Sequence, residues 1–125
     1  MRRHYPFKDA PAFFWKGRFA FAKVRQPVPG AFANIIDKDE ITVIVQEGKL
    51  PKDCIAADKG WLLLTLGQDT AMDTVGVTAT IAGALADAEV AIMPIAAFSR
   101  DHFLIKEKDK EKAVAALKTV GITVS

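Results

Sequence analysis

Few residues in this chain have types and spacing that could do chemistry. Ser99, Asp101 and His102 supply the residue types of a nucleophilic triad, and Cys54 and His4 complete the thiol and imidazole inventory. Asp101 and His102 are neighbours in a segment that reads as a strand. Successive strand side chains point to opposite faces, so Asp101 cannot readily orient His102. No spacing of His, Cys, Asp and Glu resembles a zinc or iron site, and no glycine-rich phosphate loop occurs. The reading is therefore of a non-enzymatic chain with no cofactor and no metal.

A different chemistry is available in residues 67–76 (GQDTAMDTVG). A helix is expected after them, with Asp73 or Thr74 placed to cap it. The first N–H groups of a helix lack internal partners and carry partial positive charge, so they can receive a ligand carboxylate. Gly76 would let a ligand approach the backbone, and Asp69 or Asp73 could hold an α-ammonium group. Together these would capture a zwitterion. The plainer alternative is that Asp73 only caps the helix and Gly76 only permits tight packing.

The elements that must position this loop can be read from periodicity. Residues 61–66 (WLLLTL) are apolar on both faces apart from Thr65, as in a central strand. Val77, Ile81, Leu85 and Ala88, with Ala84 beside them, make one helical stripe. Residues 90–98 form a strand carrying Pro94, which lacks the N–H a ladder needs and so points to a sheet edge. Ser99-Arg100-Asp101 reads as a hairpin turn into a strand at 102–106. A charged run, 107–112, leads into a helix burying Ala113, Ala116, Leu117 and Val120, with Gly121 just past its end and a last short strand at 122–124. The order β-α-β-β-α-β over 61–124 is the ferredoxin-like split βαβ, with its second strand at an edge and its first and third central.

Residues 18–25, 31–36 and 40–46 read as three further strands, with a turn at 37–39. Only Gln26-Pro27-Val28-Pro29-Gly30 joins the first two, and five residues with two prolines cannot hold a crossover helix. Residues 48–53 could form one helical turn, and 57–60 read as a polar joint. The expected organisation is α+β: a degenerate β-rich half, 1–60, followed by a ferredoxin-like domain, 61–125.

Segments of this second half resemble ACT domains: Trp61 to Gly67, Gly76-Val77 at a helix start, 84–92 (ALADAEVAI), 98–101 (FSRD), 103–107 (FLIKE) and 113–117 (AVAAL). The closest resemblance is to small tandem-ACT bacterial proteins related to the regulatory part of aspartate kinase and to the CASTOR arginine sensors. Glu40 to Glu47 (EITVIVQE) is the best matching piece of the first half, so a degenerate tandem ACT repeat is expected. Two departures stand out: residues 67–73 lengthen a loop shaped like Gly-Pro-Leu-Asp in relatives, and Glu89 stands where relatives commonly have glycine. The resemblance implies a regulatory or sensor protein binding a small effector, an amino acid above all. Its site would comprise Gln68, Asp69, Thr70, Met72, Asp73, Thr74, Val75 and Gly76 on the loop side, and Ile95, Ala96, Phe98, Ser99 and Asp101 across an edge contact. Unpaired edge groups also favour pairing with a second chain, so a homodimer through sheet edges is expected. The competing reading is a structural or assembly module whose edges join proteins without a ligand.

Composition limits the remaining classes. The 125 residues are half hydrophobic, with 17 basic and 15 acidic side chains leaving a charge of +2. Such a chain buries roughly two-thirds of its unfolded surface and needs no cross-links. The single Cys54 fits a reducing compartment, and a cytoplasmic protein is expected. Arg2, Arg3 and His4 read as a solvated arm, since no unbroken apolar stretch follows them. The nine residues 90–98 fall short of the roughly twenty a membrane helix needs. The charge surplus is too small for nucleic acid. Phe13, Phe14 and Trp15, with Phe19 and Phe21, lack the interleaved basic residues of an RNA-stacking platform, so they are expected to pack in a core or an interface.

Overall fold

Alternation, proline placement and helical stripes set out the elements of the structure, a computed structural model that describes residues 10–66 and 77–125. In chain order they are β1 (Ala10–Phe14), β2 (Phe19–Val24), β3 (Ala33–Ile36), β4 (Ile41–Gln46), β5 (Ala56–Leu66), α1 (Val77–Asp87), β6 (Ile92–Ala96), β7 (Asp101–Lys106), α2 (Lys110–Lys118) and β8 (Ile122–Val124). Single 3-10 turns occupy Glu47–Lys49 and Glu107–Asp109. The chain divides into a split unit, Met1–Trp15 with Leu62–Ser125, and an inserted unit, Lys16–Trp61.

In the split unit the strand order is β6-β7-β5-β1-β8. The βαββαβ succession expected over 61–124 is present, with β6 at an edge and β5 and β7 central. All six residues from Trp61 to Leu66 are buried, as a strand apolar on both faces requires. Ile81 and Leu85 of α1, and Ala113, Ala116 and Leu117 of α2 with Val120 just beyond it, close over Leu64, Leu66, Phe103, Ile105 and Ile122. These helices form because their apolar positions recur at three- and four-residue steps, which keeps one stripe on the sheet. Gly121, at φ 89°, turns the chain from α2 into β8.

The end of α1 is a Schellman motif made by a non-glycine residue. Val90 N–H donates to the Leu85 carbonyl and Glu89 N–H to the Ala86 carbonyl, both at 2.9 Å. Glu89 therefore holds a left-handed φ of 61°. This explains physically why glycine suits that position in similar sequences.

One strand was not legible from sequence. β1 lies between β5 and β8, pairing antiparallel with β5 (Ala12↔Leu66, Phe13↔Thr65, Phe14↔Leu64) and parallel with β8 (Ala10↔Ile122, Pro11↔Thr123, Ala12↔Val124). Residues 10–15 thus join the unit built by the second half of the chain, whereas the sequence reading places them with residues 16–60. Among the described residues Pro11 is paired with Thr123 of β8.

The inserted unit has the order β3-β4-β2 followed by the first half of β5. The expected polar joint at 57–60 is strand instead, because β5 starts at Ala56. One extra β5 residue between the Phe19↔Trp61 and Phe21↔Asp58 pairs makes a bulge, where Gly60 takes φ 83° and donates its N–H to Glu47 Oε2 at 2.7 Å. Ala22, Val24, Val43 and Val45 form its core, with Val28, Ala31, Ile41, Leu50 and Cys54 packed against them. Asn34 clasps the proline-rich connection by accepting from Val28 N–H and donating to the Val28 carbonyl. No helix occupies that connection, as its length and prolines dictate.

Candidate functional site

The loop half of the expected site, Gln68, Asp69, Thr70, Met72, Asp73, Thr74, Val75 and Gly76, lies outside the described residues. The hairpin half is described. β6 and β7 pair through Ile92↔Ile105 to Ala96↔Asp101, and Ala97 N–H donates to the Arg100 carbonyl at 3.2 Å to close a tight turn. Phe98 at its tip is 91% exposed. Ser99 and Ala96 are exposed, while Ile95 and Asp101 are half-buried. Among the described residues β6 has β7 as its one neighbour, so its outer edge is open despite Pro94.

A polar chain, exposed at Trp15 and buried at Thr65 and His102, ties this hairpin to the middle of the sheet. Trp15 Nε1 donates to Thr65 Oγ1 at 2.7 Å, and Thr65 Oγ1 lies 2.7 Å from His102 Nδ1. Thr65 is fully buried and His102 only 6% exposed. Burial pushes the His102 pKa down, Arg100 adds to that, and Asp101 opposes it. The Thr65–His102 contact sets the turn end of β7 beside the last residues of β5, after which residues 67–76 follow in sequence. Ser99, Asp101 and His102 form no triad here: His102 Nδ1, the atom a triad acid would engage, faces Thr65. The partners Trp15 and Thr65 were not anticipated, and the signal for them was weak: one polar residue in an otherwise apolar strand, and one histidine two positions into another.

Two clefts were also not anticipated. One of about 270 Å³ lies between α1 and α2 in the split unit, lined by Thr80, Gly83, Ala84, Ala88, Ala116 and Val120, with Asp87 and Thr119 at its rim. Another, of about 350 Å³ in the inserted unit, is bounded by Arg25, Pro27, Pro29, Pro51 and Asp53. Arg25 Nε there donates to the Asp53 carbonyl at 3.3 Å. Among the described residues no three His, Cys, Asp or Glu side chains are grouped to hold a metal ion. No helix among them is long and apolar enough to cross a membrane.

The ACT domain family model matches residues 56–119. No curated protein matches the chain. Among solved structures, an Agobacterium tumefaciens protein is similar at 21% identity and a TM-score of 0.81, over 93% of this chain and 92% of that one. A Vibrio cholerae protein of unknown function, titled a possible transport protein, is similar at 21% identity and 0.73, over 89% and 88%. The regulatory subunit of aspartate kinase from Thermus thermophilus, in its ligand-free form, is similar at 14% identity and 0.63, over 87% and 95%.

Proposed function

The chain belongs to the ACT domain family, and from that premise we propose that it is a non-catalytic regulatory module that binds a small effector, an amino acid, between residues 68–76 and the β6–β7 hairpin. The observation that carries this reading is the contact between Thr65 and His102, which brings the hairpin turn beside the end of the strand that leads into the loop. The hairpin offers Asp101 as a carboxylate and Phe98 as an exposed apolar wall, and the open edge of β6 suits a second copy pairing against it. Occurrence of the same fold in a regulatory subunit of aspartate kinase supports a regulatory role.

A thermal-shift screen against the twenty amino acids tests the proposal. A ligand at 100 times its Kd stabilises by about 2.7 kcal/mol, which for a chain of this length moves the midpoint by roughly 8–15 °C. Asp101→Asn is expected to reduce the response to the active amino acid without lowering the midpoint of the ligand-free protein. A flat screen together with a stable dimer on sizing would replace the sensor reading with an assembly module whose β6 edge joins two chains.

A further inference from the structure

The cleft of about 350 Å³ in the inserted unit is lined by opposite charges that do not pair with each other. Arg25 spends its Nε hydrogen on the Asp53 carbonyl at 3.3 Å, which leaves the N–H bonds of its terminal nitrogens without an acceptor among the described residues. The Asp53 carboxylate lines the same cleft and has no ion-pair partner among those residues either. The Nε tether holds the guanidinium beside residue 53, so a positive and a negative group share one small volume.

The rest of the lining is apolar and poor in donors. Val24, 3% exposed, lies at its base, with Pro27, Val28 and Pro29 from one connection and Pro51 from the other. Prolines carry no N–H, and the Val28 N–H is given to Asn34 Oδ1 at 2.9 Å. The 27–29 wall therefore offers an anion no backbone donor, and the Arg25 guanidinium is the group that can hold one. Both connections are fixed in place. The prolyl rings lock φ, and Asn34 grips the N–H and the carbonyl of Val28. Cys54 N–H donates to the Pro51 carbonyl at 3.3 Å, and Ile55 N–H to the Lys23 carbonyl at 2.9 Å. A cleft already shaped in this way costs a ligand little ordering of the protein.

We propose that this cleft is a second small-molecule site, independent of the one between residues 68–76 and the hairpin, and that it takes a zwitterion with an apolar side chain. The ligand carboxylate lies on Arg25, its ammonium on Asp53 and its side chain on the proline rings. A plain anion meets the opposing charge of Asp53, and a plain cation that of Arg25, so a molecule bearing both groups close together suits the pair best. The volume lies near the lower end of the roughly 300–1,000 Å³ of small-molecule clefts, which fits a ligand the size of a free amino acid.

Chemical-shift mapping by proton–nitrogen NMR on the full chain tests this, with valine, leucine, isoleucine, methionine and phenylalanine as probes. Each is added to about 10 mM, enough to fill most of a site whose Kd is about 1 mM. At least one is expected to shift the amides of Arg25, Gln26, Val28 and Asp53 saturably. The responding amino acid stripped of either charge, which for leucine means 4-methylpentanoate or 3-methylbutylamine, should bind at least about tenfold more weakly. Asp53→Asn keeps the carbonyl that Arg25 holds and should weaken binding by a similar factor with the ligand-free unfolding midpoint unchanged, as should Arg25→Gln. Asp101→Asn should leave these shifts as they are, which separates this site from the one at the hairpin. Saturable shifts in this cleft from none of these amino acids, equal binding of the carboxylate-only probe, or binding indifferent to Asp53→Asn would overturn the proposal. Shifts confined to residues 95–102 would do so too, while supporting the hairpin site.

Discussion

Replacing Glu89 by glycine is expected to stabilise the protein, and the size of the effect follows from the end of α1. Glu89 is exposed and held at φ 61° by two hydrogen bonds, while Val90 after it is buried to 4% exposure and cannot move to relieve the strain. A left-handed conformation costs an L-residue roughly 1–2 kcal/mol. Glycine avoids that cost but returns roughly 0.5–1 kcal/mol through its greater freedom in the unfolded chain. Removing a carboxylate from a helix C-terminus recovers about 0.3–1 kcal/mol more. The net gain is about 1 kcal/mol, which raises the midpoint by about 3–5 °C at this chain length. Thermal unfolding followed by circular dichroism reads this directly, with Glu89→Ala as the control. Alanine also removes the charge but keeps the Cβ, so its gain should be limited to the charge contribution of about 0.3–1 kcal/mol, below that of glycine. A glycine variant no more stable than the alanine one would refute the reasoning from φ.

Leu85→Ala empties a fully buried position between α1 and the sheet and should cost about 2–5 kcal/mol in denaturant unfolding. Phe98→Ala removes a ring that is 91% exposed, so stability should change by less than about 0.5 kcal/mol. The same substitution should weaken effector response and self-association on sizing. Gly60→Ala meets no atom within 4 Å but must adopt φ 83°, so a loss of about 1 kcal/mol, unaccompanied by steric rearrangement, is expected on unfolding. Asp37 accepts hydrogen bonds from the N–H groups of Asp39 and Glu40, which hold its pKa below the ordinary 3.8. Its contribution to the β3–β4 turn is therefore present above pH 3.8 and lost as pH falls through the lower folded value, a limb that a carboxyl carbon titration should reveal and Asp37→Asn should abolish.

What could be read from the sequence was what local pattern encodes. The stripe of Ile81, Leu85 and Ala88, the doubly apolar run at 61–66 and Pro94 in an edge strand each carry their meaning within a few residues. β1 does not: its partners lie at Leu64 to Leu66 and at Ile122 to Val124, and no window around APAFF contains them. Residues 56–59 of β5 (AADK) are all exposed and show no alternation of apolar and polar side chains, and the ladder with β2 alone makes them strand. The β6–β7 hairpin that carries Phe98 and Asp101 was legible from its turn residues. The polar link from Trp15 through Thr65 to His102 was not, because a hydrogen bond between strands remote in sequence leaves no periodic trace.

The backbone N–H of Trp15 donates to the Leu63 carbonyl at 2.9 Å, so the chain departs from the split unit and rejoins it at facing rungs of one antiparallel ladder. Residues 16–61 thus take the place a short reverse turn would fill in an ordinary two-stranded ribbon. An excursion hung from such a point can lengthen, shrink or be exchanged for another over evolutionary time without altering the register of the ribbon that carries it.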